Sequence, residues 1–316
     1  MRPPPRPCRH GAGPPVDGAR PHGMVSGVQR PLQGIGFVVI AVACFAGLDT
    51  GTKMVSNVVP VVMAVWFRYL FQALVTALAM LPRRGLGMLR TRRPGLQFAR
   101  GALLTASSAF SYLSLRHMPV GEFTAIVMLT PLIITLMAAT SLGERITPLR
   151  WLCVGGGFVG ALTVIRPGGE MFTVASLMPL GLVATNAAYQ LLTSRLAKTE
   201  DAATMHFYTG CIGAGLATVL LPFAWTPLSA GVWTVLVLIG ICSTLGHYLL
   251  ILAYSRAPVA VLTPYLYLQI AFATLAGWIA FSHVPDGWSI TGIAMIGVCG
   301  ALGTWLTARD RRHATR

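Results

Sequence analysis

Few residues of this chain can do chemistry, and several of them stand inside apolar runs where their type is costly. Asp49 lies in the first such run and Arg68 in the second, and Lys53 follows Asp49 by four positions. An acid and a base four apart share one helix face and suit an ion pair, and Arg68 can compete for the same carboxylate. A charge surrounded by hydrocarbon is either paired or engaged in binding and moving something, so a structural pair and a substrate or gating role stand equally open for these three. Glu122, at the start of the fourth run, reads as shallower and solvated.

Uncharged polar groups recur in the other runs. They are Ser107, Ser108, Ser111 and Tyr112 in the third, Asn186, Tyr189 and Gln190 in the sixth, His247 and Tyr248 in the eighth, and Tyr265, Tyr267 and Gln269 in the ninth. They could line a cavity, or they could join neighbouring helices by hydrogen bonds, as membrane bundles routinely do. The candidate substrate-binding or gating set is Asp49, Lys53, Arg68, Ser108, Tyr112, Asn186, Tyr189, Gln190, His247, Tyr265 and Gln269. Catalytic and metal-binding residues are not expected: His206 and His247 have no second ligand at metal spacing, and no Ser/His/Asp signature occurs.

Two nucleotide motifs fail on context. Gly155-Gly156-Gly157-Phe158-Val159-Gly160 satisfies G-x-G-x-x-G, but it lies within an apolar run and follows no strand. Gly156-x-x-x-Gly160 instead allows close helix approach, and Gly297-x-x-x-Ala301 offers the same in the tenth run. A phosphate-binding G-x-x-x-x-G-K-[ST] loop is absent, since the lysines, Lys53 and Lys198, follow Thr52 and Ala197. No cofactor is expected, and any uphill movement would draw on an ion gradient, the membrane potential or exchange.

The elements that must position these residues are membrane spans. Of 316 residues, 54% are hydrophobic and 10% charged, and the mean hydropathy is +0.67, far from the balance of a soluble domain. Apolar runs near 34–54, 59–81, 97–117, 120–140, 148–166, 174–195, 203–223, 232–255, 258–281 and 287–308 are each long enough to cross a hydrocarbon core about 30 Å thick. Pro131 and Pro264 fall inside the fourth and ninth, where a missing backbone donor and a ring clash loosen a helix. The six cysteines are scattered, without a C-x-x-C pair, and read as small packing residues.

A formal charge of +15 could suggest nucleic acid, but the cations sit in alternate loops rather than on one face. With the N-terminus inside, 20 of the 24 basic residues fall in inside segments, Arg83, Arg84, Arg90, Arg92, Arg93 and Arg100 among them. The positive-inside rule then puts both termini in the cytoplasm of an inner membrane. Residues 1–30 form an extension, rich in Pro, Gly and Arg over 1–23, that is expected to be disordered. It contains no signal-peptide core, and Met1 and Met24 both stand as starts.

Residues 119–142 align without a gap with 258–281, sharing Pro119/Pro258, Val120/Val259, Thr124/Thr263, Leu129/Leu268, Thr135/Thr274 and Leu136/Leu275; Gly157–Leu162 then meets Gly297–Leu302. The match falls on the fourth and fifth runs of each half. The expected fold is therefore an all-α membrane protein of ten transmembrane helices, built as two five-helix repeats over 31–168 and 174–309, with a tail at 310–316. Five spans per half is an odd number, so the repeats must be inverted, an arrangement that makes inward-open and outward-open states nearly equal in energy.

The ordered features resemble the EamA family of the drug/metabolite transporter superfamily from Gly34 to Arg309. They are Lys53 and Arg68, Leu142-Gly143-Glu144-Arg145, Arg150-Trp151, Gly157-Phe158-Val159-Gly160 and Arg166-Pro167-Gly168 in the first half. Gly246-His247, Ala257-Pro258, Thr263-Pro264-Tyr265 and Pro285-Asp286 follow in the second. The pattern is most similar to carriers that take up S-adenosylmethionine. This resemblance implies a ten-helix carrier with a central cavity, whose cargo would be an amino acid, S-adenosylmethionine, riboflavin or a similar metabolite. The second half departs at Ser282-His283, which stand where the first has Gly143-Glu144. The expected partners are a small-molecule substrate, the lipid bilayer and a possible coupling ion. Two rivals are a membrane-embedded enzyme acting on a lipid or isoprenoid, and a structural membrane protein that transports nothing.

Overall fold

The computed structural model describes residues 31–85, 90–141, 148–166, 177–197, 199–257 and 259–314. The N-terminal extension, Leu142–Arg145, Pro167-Gly168 and the last two residues of the tail lie outside the described residues. The described chain is all-helical, with twelve α-helices. These are α1 (Pro31–Val55), α2 (Val61–Arg84), α3 (Pro94–His117), α4 (Val120–Val127), α5 (Thr130–Ser141), α6 (Pro148–Ile165), α7 (Met178–Leu196), α8 (Ala202–Leu220), α9 (Ala230–Arg256), α10 (Val259–Leu266), α11 (Leu268–Phe281) and α12 (Gly287–Ala314).

Helix starts follow local chemistry. Pro94 opens α3, where its missing N–H costs nothing. Asp201 caps α8 by accepting from the amides of Ala203 and Thr204, and Ser229 caps α9 at Val232.

Two of the apolar runs are not single helices. The fourth breaks between α4 and α5 at Met128–Leu129, and the ninth breaks between α10 and α11 at Tyr267. Pro131 sits in the first turn of α5 and Pro264 within α10, so each proline lies within one turn of a break.

The side chains invert the pattern of a water-soluble protein. Asp49, Arg68, Gln72, Gln97, Arg100, Glu122, His206, His247 and Gln269 are buried, whereas Phe223, Leu32, Leu78, Ile279, Val219 and Leu152 project outward with two-thirds or more of their surface exposed. Apolar surface outside and polar groups inside is the arrangement a bilayer demands. Among the described residues, five helices, Leu32–Val55, Val61–Pro82, Ala202–Phe223, Ala230–Arg256 and Pro264–Phe281, are long and apolar enough to cross a membrane.

The principal helix pairs are α1 with α9, α3 with α7, α2 with α8, and α6 with α12, with α4 against α11 at the centre. Glycine permits the α6–α12 approach. A Cβ on Gly160 would lie 2.9 Å from the Gly292 carbonyl oxygen, and one on Gly292 would lie 2.6 Å from that of Gly160, so α6 and α12 touch backbone to backbone. The close approach expected of Gly156-x-x-x-Gly160 is present. Its partner in α12 is Gly292 rather than Gly297, which has nothing within 4 Å of its Cβ position.

Candidate functional site

A cavity of about 780 Å³, counting its open mouth, lies at the centre of the bundle. Its wall draws on α1 (Phe45, Leu48, Asp49), α2 (Arg68), α3 (Leu104, Ser107, Ser108, Ser111), α7 (Leu182, Asn186, Tyr189, Gln190), α9 (His247, Leu250), both interrupted runs (Met128, Thr130, Pro131; Leu266, Gln269) and α4. Such a lining offers apolar and aromatic surface for the body of a small molecule and a few convergent polar groups to orient it.

The polar groups are held from behind. Arg68 Nε donates to Ser243 Oγ at 2.6 Å and Nη1 to Ser108 Oγ at 2.9 Å. Its guanidinium carbon lies 5.0 Å from the centre of the Tyr69 ring, an attraction between cation and ring face. Ser108 also meets the Tyr69 hydroxyl at 2.7 Å, and the Tyr254 hydroxyl donates to Gln190 Oε1 at 2.7 Å. His247 Nδ1 lies 2.9 Å from the Ser243 carbonyl oxygen, and its ring stands edge-on to Phe45 at 4.8 Å. Gln269 Nε2 donates to Asp49 Oδ2 at 3.3 Å. The cavity therefore presents one carboxylate, one guanidinium and several amides, hydroxyls and an imidazole.

Eight of the eleven residues expected to bind or gate line this cavity: Asp49, Arg68, Ser108, Asn186, Tyr189, Gln190, His247 and Gln269. Three do not. Tyr112 lines a smaller adjoining pocket with Arg68 and Ser108, and its hydroxyl donates to the Val59 carbonyl oxygen. Tyr265 packs, half-buried, against the apolar core. Lys53 donates to the carbonyl oxygens of Leu115 at 3.1 Å and Met118 at 2.9 Å, so it ties down the end of α3.

The Asp49–Lys53 ion pair, one of the two readings the spacing left open, is not formed, because terminal carbonyls of a neighbouring helix claim the ammonium. Glu122 is not solvated: it is buried, and its carboxylate meets His283 Nε2 at 2.9 Å across the α4–α11 contact. Arg100, counted above among loop cations, is fully buried in α3. Its helix begins at Pro94, which carries position 100 almost two turns inward; the proline was the legible signal. Ser243, the other partner of Arg68, lies in an apolar stretch that offered no such signal.

With this geometry in hand, likeness to known proteins becomes informative. Residues 32–166 match the model of the EamA-like transporter family. A riboflavin transporter of Brucella anthropi is 31% identical over 79% of this chain and 90% of its own length. An S-adenosylmethionine uptake transporter of Rickettsia felis is 24% identical over 84% of this chain and 90% of its own. A solved crystal structure, 22% identical, superposes with a TM-score of 0.62 over 87% of this chain and 97% of its own, which speaks for the fold. Membrane embedding and a small-molecule substrate accord with these relatives and with the inverted polarity of the bundle, and the enzyme reading is set aside. The chain belongs to the EamA-like transporter family.

Proposed function

We propose that this chain is a secondary carrier moving a small polar or amphipathic metabolite across the inner membrane by alternating access. The observation that carries the reading is the central cavity, which is lined from both halves of the chain and contains Asp49 and Arg68 beside two interrupted helices. Interrupted helices at a mid-bundle cavity are a recurrent way for carriers to reach a substrate with polar backbone.

Ten spans in two inverted repeats, 31–168 and 174–309, follow if α4 with α5 and α10 with α11 each count as one span. Two features support that count. The breaks at Met128 and Tyr267 fall on aligned positions of the two halves. Exchanging each helix with its counterpart also turns the α1–α9 contact into α3–α7, α3–α8 into α2–α9, and α1–α11 into α5–α7, all of which occur, while α2–α8 and α6–α12 map onto themselves. Trp66, Trp225 and Trp233 cluster where α2 begins and α8 gives way to α9, with ring centres 6.2 and 6.5 Å apart, as at a membrane interface. Both termini are then cytoplasmic.

Among candidate cargoes, riboflavin ranks first, because the relative of that name shares more identity than the S-adenosylmethionine carrier. The test is uptake of labelled riboflavin and S-adenosylmethionine into proteoliposomes. Accumulation of either above empty liposomes supports the reading, and background flux of both sinks these two cargoes.

A further inference from the structure

The mechanism above leaves Arg100 unused, although it is the largest fully buried side chain of the bundle. Its Nη1 reaches the Tyr189 hydroxyl and Thr193 Oγ1, each at 3.4 Å, and its Nη2 donates to Thr209 Oγ1 at 2.7 Å and to the Met205 carbonyl oxygen. All four acceptors are neutral, and no carboxylate of the described residues lies within ion-pairing distance. A cation kept from water without a counter-charge is a costly arrangement for structure alone.

The surroundings of Arg100 are also incompletely paired. Its Nε has no partner. Gln97, one turn earlier on α3, is fully buried with neither amide atom bonded. Gln72 of α2, equally buried, donates to the His206 carbonyl oxygen at 2.9 Å but leaves its Oε1 unpaired. Protein interiors satisfy at least about nine-tenths of such groups. Gln97 lies one turn from Arg100 on α3, and Gln72 bonds the α8 carbonyl next to the one that Arg100 bonds, so four unpaired atoms fall where α2, α3 and α8 meet and mark a place built to meet something polar. Arg100 also touches Tyr189, which lines the central cavity, with the guanidinium carbon 5.5 Å from its ring centre.

We propose that Gln72, Gln97 and Arg100 form a second polar subsite, joined to the central cavity through Tyr189, that receives an anionic group of the transported metabolite. It rests on the carrier reading and narrows the cargo to one bearing a carboxylate or phosphate, a group that S-adenosylmethionine has and riboflavin lacks, with a hydroxyl or N–H nearby to meet the glutamine oxygens; here the site's chemistry departs from the ranking by identity alone. The guanidinium supplies the charge, the Gln97 amide a further donor, and the Gln72 oxygen an acceptor.

Charged thiol reagents test this without knowledge of the cargo, so failure of the riboflavin assignment would leave the result readable. The full chain carrying Gln97→Cys, purified in detergent, is treated with the anionic sulfonatoethyl or the cationic trimethylammonioethyl methanethiosulfonate. Modification of that position is followed by mass spectrometry, and each rate is divided by the reagent's rate on a free thiol. An electropositive site that opens to water favours the anionic reagent about tenfold or more. Adding Arg100→Gln brings the ratio close to unity. Gln72→Cys is run in parallel, so that a folding defect in one variant leaves the other informative. Absence of modification at both positions, or equal rates for the two reagents while Arg100 is intact, overturns the proposal.

Discussion

Gln269 of α11 donates to Asp49 of α1 at 3.3 Å, joining residues 220 positions apart in the chain across the wall of the central cavity. Arg68 opens on the same cavity but is held by Ser243 and Ser108, so the carboxylate and the guanidinium face shared space without locking together. A charge pair that is not closed on itself is free to meet a ligand. The predictions below follow from this arrangement and its supports.

Arg68→Ala removes two charge-assisted hydrogen bonds, each contributing on the order of 1.5–3 kcal/mol. We expect proteoliposome flux to fall at least about tenfold, equivalent to roughly 1.4 kcal/mol, with expression unchanged. Asp49→Asn should act in the same direction. Wild-type flux in both variants would remove them from the mechanism.

Gly210 of α8 lies against the backbone of α2: a Cβ there would be 2.8 Å from the Ala73 nitrogen and 2.9 Å from its Cα. Backbone cannot swing aside as a flexible side chain can. Gly210→Val should therefore destabilise the fold by about 1–3 kcal/mol, read as a lower melting temperature in detergent. Gly215→Val, a substitution in the same helix at a position with nothing within 4 Å, should melt close to wild type.

Glu122 and His283 couple α4 to the segment after α11. A double-mutant cycle on melting, with Glu122→Gln and His283→Ala, should return a coupling above about 0.5 kcal/mol, the scatter expected of independent sites. An additive cycle would mean that the contact contributes nothing to stability.

Arg166, at the end of α6, pairs with Asp286, just before α12. Hydrogen bonding to the Arg166 guanidinium lowers the Asp286 carboxyl from its ordinary 3.8 to about 2. A carboxyl depressed in the folded state adds stability above its unfolded value and loses it as pH falls through the folded one. Wild type should thus lose a small increment of melting temperature between these two values that Asp286→Asn does not lose. The increment is small because both partners are roughly half-exposed, and identical pH profiles would refute it.

The sequence by itself determined the helical character, the approximate bounds of the apolar runs and most of the cavity's polar lining. All three follow from one-dimensional facts: each span needs about 20 apolar residues, and polar groups in such spans turn inward. It also located the backbone contact on the Gly160 side. What only the tertiary structure decided was partnership. Lys53 and Asp49 share a helix face, yet the carbonyls ending α3 take the ammonium. Glu122 finds His283 from far along the chain, and Arg100 turns inward among α7 and α8. Sequence spacing fixes which residues of one helix lie together, whereas a buried polar group is satisfied by whichever helix packs against it. That choice is made only when the bundle assembles.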